Sequence, residues 1–196
     1  MYSWFQNSLA VPGARAQAGR LYIRAREGDT VLDVGCGPAD TLEFLPRVTY
    51  VGIDLSAKYL ARARQRYHAH PSATFLQMDA RALAADWTGR FDLVLAQGLL
   101  HHLTDDEAVS LLSTLRLLMR PAGRLVTVDP AYVEGQGYFA RLLVSSDRGR
   151  FVRWVHEYQA LVGRVFPDVV THVRHDVLRL PYTHLIMECS GETRRA

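Results

Sequence analysis

Apolar residues recur along this chain in two alternating patterns. Short runs rich in β-branched residues, bounded by Gly, Pro, Asp or Ser, read as buried strands at Thr30–Val34, Thr49–Asp54, Ala73–Met78, Phe91–Ala96 and Arg124–Asp129. Between them lie helical stretches. A helix can open at Pro38, behind Gly35-Cys36-Gly37. Ser56 caps another, reaching about His68. Thr104-Asp105-Asp106-Glu107 reads as a capping box. The helix it starts carries Val109, Leu111, Leu112, Leu115, Leu118 and Met119 at a period near 3.6, and Pro121-Ala122-Gly123 ends it. Strands alternating with helices predict an α/β fold: a doubly wound, Rossmann-like sheet, mostly parallel. The last third differs. Residues 138–164 read mainly as helix, with Phe151, Val152, Val155, Tyr158, Leu161 and Val162 as the apolar stripe. Val169–Val177 and Tyr182–Cys189 read as strands joined by Leu178-Arg179-Leu180-Pro181. A connection that short forces an antiparallel pair, so one antiparallel strand is expected near the C-terminus.

Length and composition narrow the class. The 196 residues, 48% hydrophobic and 22% charged, suit one domain with a full core. Its expected parts are an N-terminal lid or helix (1–29), a cofactor-binding core (30–130) and acceptor-side helices with a C-terminal hairpin (131–196). No apolar run approaches the roughly 20 residues of a membrane helix, and residues 1–7 lack the pattern of a secretion signal. No membrane partner is expected. Cys36 and Cys189 are too few for a disulfide framework and lack metal spacing, so a reducing cytoplasm is the expected compartment and no metal is expected. The net charge of +3 is small and spread along the chain, which disfavours a nucleic-acid partner.

Asp33-Val34-Gly35-Cys36-Gly37-Pro38 carries the most chemical information. Glycines directly after a first strand let the backbone turn tightly and approach a ligand beyond the strand ends. Asp54, ending the second strand, can accept both hydroxyls of a ribose. The dinucleotide fingerprint fails, because its third glycine position is Asp40. The acidic Asp33 before the glycines suits a cationic ligand better than a pyrophosphate. S-adenosylmethionine (SAM), with its α-amino group and sulfonium, fits that polarity.

These segments resemble the class I SAM-dependent methyltransferase family. Val31–Gly37 is similar to its glycine-rich signature and Gly52-Ile53-Asp54-Leu55-Ser56 to its ribose-binding acidic turn. Gln77-Met78-Asp79-Ala80 is similar to its adenine segment. Phe91–Gln97 with Leu100-His101-His102-Leu103 is similar to its fourth-strand segment, and Leu118–Leu125 to the turn into its fifth. The likeness runs in order over residues 31–129, about half the chain. It implies that Asp33, Gly35, Cys36 and Gly37 hold the methionine end of SAM, Asp54 the ribose, and Leu55, Asp79 and Ala80 the adenine. Gln97 is placed beside the methionine moiety. The start (Tyr2, Phe5, Gln6), Asp147-Arg148-Gly149-Arg150 and the Pro181 segment resemble a bacterial small-molecule subgroup of the family.

The expected activity is methyl transfer to a small-molecule acceptor, with oxygen favoured over nitrogen or carbon. An oxygen or nitrogen acceptor needs a base, and histidine suits that role near neutral pH. His101, on the loop after the fourth strand, is the candidate base; a structural role for both His101 and His102 is the alternative. Tyr182 and His184 face either the acceptor or the hairpin's own packing. Arg148 and Arg150, with Arg153 beside them, form either a clamp for an anionic acceptor or a solvated helix start. Tyr2, Trp4 and Phe5 form either a lid or core packing. Three other functions compete: SAM binding without turnover, as a regulator or scaffold; methylation of nucleic acid or protein; and aminopropyl transfer. Ala96-Gln97-Gly98-Leu99 stands where base-amino methyltransferases carry an Asn/Asp-Pro-Pro-Tyr sequence.

Overall fold

The computed structural model describes residues 11, 13, 17, 19–82, 85–146 and 149–191. Four strands follow the sequence pattern closely: β1 (Thr30–Val34), β2 (Thr49–Asp54), β3 (Ala73–Gln77) and β4 (Phe91–Gln97). The fifth, β5 (Met119–Tyr132), contains the expected Arg124–Asp129 but begins directly after the helix, taking in Met119 and Pro121-Ala122-Gly123, and runs on to Tyr132. A two-residue strand β6 (Arg153–Trp154) and the strands β7 (Asp168–Arg174) and β8 (His184–Ser190) complete one sheet. Its order is β3-β2-β1-β4-β5-β8-β7, with β6 pairing β5 off this path. β8 runs antiparallel to both β5 and β7; every other pair is parallel. The predicted single antiparallel strand is therefore present. Its connection to β7 is longer than the four residues expected, because the strands stop at Arg174 and resume at His184.

The helices α1 (Ala57–Arg66), α2 (Asp105–Leu118), α3 (Tyr138–Ser145) and α4 (Val155–Gly163) have local causes. Ser56 Oγ accepts from the Tyr59 N–H at the start of α1. At α2 the Thr104 hydroxyl accepts from Glu107 N–H while the Glu107 carboxylate accepts from Thr104 N–H, the capping box read from sequence. α2 lays Leu111, Leu112, Leu115 and Leu118 into the core, each burial contributing about 2 kcal/mol. One apolar cluster joins that face of the sheet to α2 and α4; a second fills the opposite face around Val31, Tyr50, Leu60, Leu93 and Ile186.

Two sequence expectations are corrected. Pro38 does not open an α-helix: Ala39 takes a left-handed conformation (φ 57°), and only a short 3-10 turn, Asp40–Phe44, follows. The helix expected over 138–164 is two helices separated by an extended segment. Around 149–154 the chain leaves the helical path to bond elsewhere: Phe151 N–H donates to His101 C=O, and β6 pairs with Ala131 and Tyr132. Gly149, isolated within the helical pattern, was the local signal of that break.

Candidate functional site

The carboxyl ends of β1, β2, β4 and β5 open onto one cavity of about 770 Å³. Asp33, the glycine turn, Asp54, Leu55, Asp79, Ala80 and Gln97 line one end of it. At the turn Gly35 and Gly37 both have positive φ, 72° and 55°. A Cβ on Gly37 would meet no atom within 4 Å, so the space above it belongs to the cavity.

The direction of the amides decides what this turn can hold. The N–H groups of Gly35 and Cys36 both donate to Ile53 C=O, at 2.9 and 3.0 Å. The Gly37 N–H donates to Asp54 Oδ2 at 2.8 Å, while Asp54 Oδ1 accepts from Ser56 N–H at 2.7 Å. Three successive donors are thus consumed by β2. No amide nest is left to cradle phosphate. The turn is instead flanked by the carboxylates of Asp33 and Asp54. Burial pushes the Asp33 carboxyl up to about 7; the Tyr50 hydroxyl, donating to it at 2.6 Å, works against that rise, and the nearby Asp54 charge adds to it. An acidic, donor-poor turn fits a cationic ligand.

The remaining cofactor candidates surround that turn. Gln97 Nε2 donates to Thr41 Oγ1 at 2.9 Å, bridging the end of β4 to the 3-10 turn. Leu55 is 64% exposed at the cavity lip, an apolar platform on which a base can lie. The Asp79 carboxylate is held at about 2 by the Arg81 guanidinium, which grips both its oxygens, and by the Arg81 N–H. Cys36 is buried, and burial carries its thiol far above its ordinary range.

His101 sits beyond Gln97 on the 3-10 turn Leu100–His102. Its ring is 3% exposed yet lines the cavity. Nδ1 lies 2.7 Å from Asp129 Oδ1, and the His101 N–H donates to the same oxygen at 3.2 Å. Asp129 ends the run of β5 that parallels β4 and is fully buried. Sequence reading left Asp129 without a role. The argument that nominated Asp54, an acid at the carboxyl end of a parallel strand, applies equally to it.

The 149–153 segment secures this turn from behind. A Cβ on Gly149 would stand 1.9 Å from His101 Cδ2, so only glycine fits against the imidazole. Arg153 is buried; its guanidinium donates to the carbonyls of Leu100, Leu103 and Phe151 and to the Asp105 carboxylate. It is a brace for the His101 turn rather than part of an acceptor clamp. Arg150 is exposed and does not line the cavity. Arg148 lies outside the described residues, as do Tyr2, Trp4 and Phe5. Tyr182 and His184 both line the cavity, their rings 4.9 Å apart. Among the described residues no group of three or more His, Cys, Asp or Glu could hold a metal, and no helix is long and apolar enough to cross a membrane.

An open, mostly parallel sheet with a glycine turn after its first strand and an acid ending its second is the arrangement found in nucleoside-binding α/β folds. Residues 31–123 match the Methyltransferase domain family. The trans-aconitate 2-methyltransferase of Azoarcus sp. is 36% identical over 132 residues, 64% of this chain and 49% of that protein. The ubiquinone biosynthesis O-methyltransferase of Xanthomonas oryzae pv. oryzae is 34% identical over 140 residues, 62% of this chain and 56% of its own length. This chain spans about half the length of these curated relatives. The YcgJ protein of Bacillus subtilis superposes over 93% of this chain and 100% of its own with a TM-score of 0.68; its 16% identity speaks for the fold alone. The family match covers just under half of this chain, and over that core the chain is similar to curated SAM-dependent methyltransferases.

Proposed function

We propose that this protein is a cytoplasmic enzyme that transfers a methyl group from SAM to a hydroxyl oxygen of a small molecule, with His101 as general base. One observation carries the reading: a single cavity joins the acidic glycine turn to the His101–Asp129 pair. SAM, when bound, supplies a methyl group on a sulfonium that needs no further activation. Asp33 and the turn at Gly35, Cys36 and Gly37 would hold its cationic methionine end. Asp54, whose oxygens each accept only one protein N–H, has lone pairs left for the ribose hydroxyls. Leu55, Asp79 and Ala80 border the adenine, and Gln97 the methionine chain.

Asp129 fixes the His101 tautomer. With Oδ1 at Nδ1, the Asp129 carboxylate favours the tautomer that carries its proton on Nδ1. His101 would take the hydroxyl proton as the oxygen bonds to the methyl carbon and the carbon–sulfur bond breaks, releasing S-adenosylhomocysteine, and the buried Asp129 carboxylate would stabilise the resulting imidazolium. Tyr182 and His184 line the same cavity. The relatives named for O-methylation support an oxygen acceptor.

The test separates binding from chemistry. His101→Ala is expected to lower kcat by about 10²- to 10⁴-fold on an accepted substrate. Its affinity for S-adenosylhomocysteine, measured by calorimetry, should stay within about twofold of wild type. Unchanged turnover would remove His101 from the chemistry. Absence of S-adenosylhomocysteine binding to the wild-type protein would remove the cofactor reading itself.

A further inference from the structure

The far end of the cavity has a chemical character of its own. It lies over β5 and β8, where Val128 pairs with Ile186, three strand spacings or about 14 Å from β1. Tyr22, Val128, Val177, Leu178, Tyr182 and Ile186 wall it. Tyr22 is a fixed ring: Arg174 donates to its hydroxyl at 2.8 Å, stacks 5.7 Å from its centroid, and His172 packs 4.7 Å away. Arg174 does not line the cavity, and Asp176 neutralises it through two contacts of 2.7 Å.

The charges around the cavity are one-sided. Among the described residues lining it, Arg81 is the single guanidinium; it stands at the adenine end, paired with Asp79 and within 3.7 Å of Glu107. The acceptor end holds no arginine or lysine among the described residues, while Asp129 is buried behind His101. A carboxylate or phosphate placed there would lose its water with no guanidinium or ammonium among the described residues to replace it, close to the buried Asp129. A cationic acceptor fares no better, because the Asp129 carboxylate is buried behind the His101 ring and its side chain has no accessible surface. Aromatic and aliphatic walls instead favour a flat apolar body.

We infer that the acceptor is an uncharged ring compound bearing a hydroxyl, of the phenol type, and that carboxylate and phosphate acceptors are rejected. This rests on the methyl-transfer reading above and narrows it. It also separates this chain from what the name trans-aconitate 2-methyltransferase says of that relative, whose acceptor is an acid.

The experiment uses the full chain and first establishes that it binds S-adenosylhomocysteine. Binding is then compared on the S-adenosylhomocysteine-loaded chain, and turnover on the same chain supplied with SAM, for matched pairs: hydroxybenzoate and hydroxycinnamate methyl esters against their free acids, with unsubstituted phenols alongside. The ester is expected to exceed its acid at least 100-fold in kcat/KM, or in affinity where turnover is slow. Leu178→Arg, which sets a guanidinium on the wall, should narrow that ratio about tenfold or more. Preference for the acids overturns the inference, and so does failure of every neutral ring compound to bind the loaded protein. Failure of S-adenosylhomocysteine to bind instead overturns the methyl-transfer reading, a separable result.

Discussion

The two ends of the cavity are built in opposite ways. The cofactor end is mostly backbone: the turn at residues 35–37 hangs on Ile53 C=O and one carboxylate, within about twenty residues of chain. The acceptor end is an assembly of side chains from distant segments. Tyr22 precedes the sheet, His101 follows β4, Gly149 and Arg153 lie between α3 and α4, and Tyr182 leads into β8. A backbone-built end is set by strand pairing and tolerates change in its side chains. A side-chain-built end depends on each brace.

Substitutions can break this contrast, and the largest effect is expected at Arg153. Its buried guanidinium satisfies three carbonyls, one of them fully buried, so Arg153→Ala should destabilise the fold by about 3–5 kcal/mol in urea unfolding. Arg150→Ala, at an exposed position, should stay within about 0.5 kcal/mol. Equal effects would show that the brace is not where its bonds place it. Gly149→Ala comes next: the methyl has no room beside the imidazole, and an ångström of displacement is expected to cost about 100-fold in kcat with cofactor affinity retained. Wild-type kcat in this variant would mean that the ring position does not matter to turnover.

At the cofactor end the effects are smaller and appear in binding. Asp54→Asn removes the charge but keeps one acceptor, and should weaken S-adenosylhomocysteine about 10- to 100-fold by calorimetry while kcat at saturation holds. The mildest test is pH. Asp33 has a carboxyl raised from 3.8 to about 7, so below that pH it is mostly neutral. A cationic ligand must displace its proton, and SAM affinity should rise with pH by up to about tenfold per unit until near 7, then level. Stability runs the other way. The folded state holds the proton more tightly than the unfolded one, so stability falls as pH rises from about 4 to 7 and is flat above. Asp33→Asn should flatten both curves; a slope that survives it belongs to another group.

The legible part of this protein was its local part. Strand periodicity placed β1 to β4 within a residue or so, and the capping box placed the start of α2. The glycine turn and Asp54 could be nominated because their meaning depends on residues that strand pairing brings side by side. Asp129 holds a comparable place, at the carboxyl end of the parallel run of β5, but its role depends on His101, which only the fold brings to it.

What the order of residues determined by itself was the sheet and the polarity of its first turn, because period, glycine freedom and strand-end carboxylates act over a few neighbouring residues. Only the tertiary structure decided that the 138–164 helix breaks, that Gly149 rests against His101 and that Arg153 is a brace rather than a clamp. The reason is competition. Helical propensity across 149–154 is worth tenths of a kcal/mol per residue, whereas the buried carbonyls of the His101 turn cost about 1–3 kcal/mol each if left without donors. Those carbonyls lie about fifty residues away in the chain, beyond the reach of any local pattern.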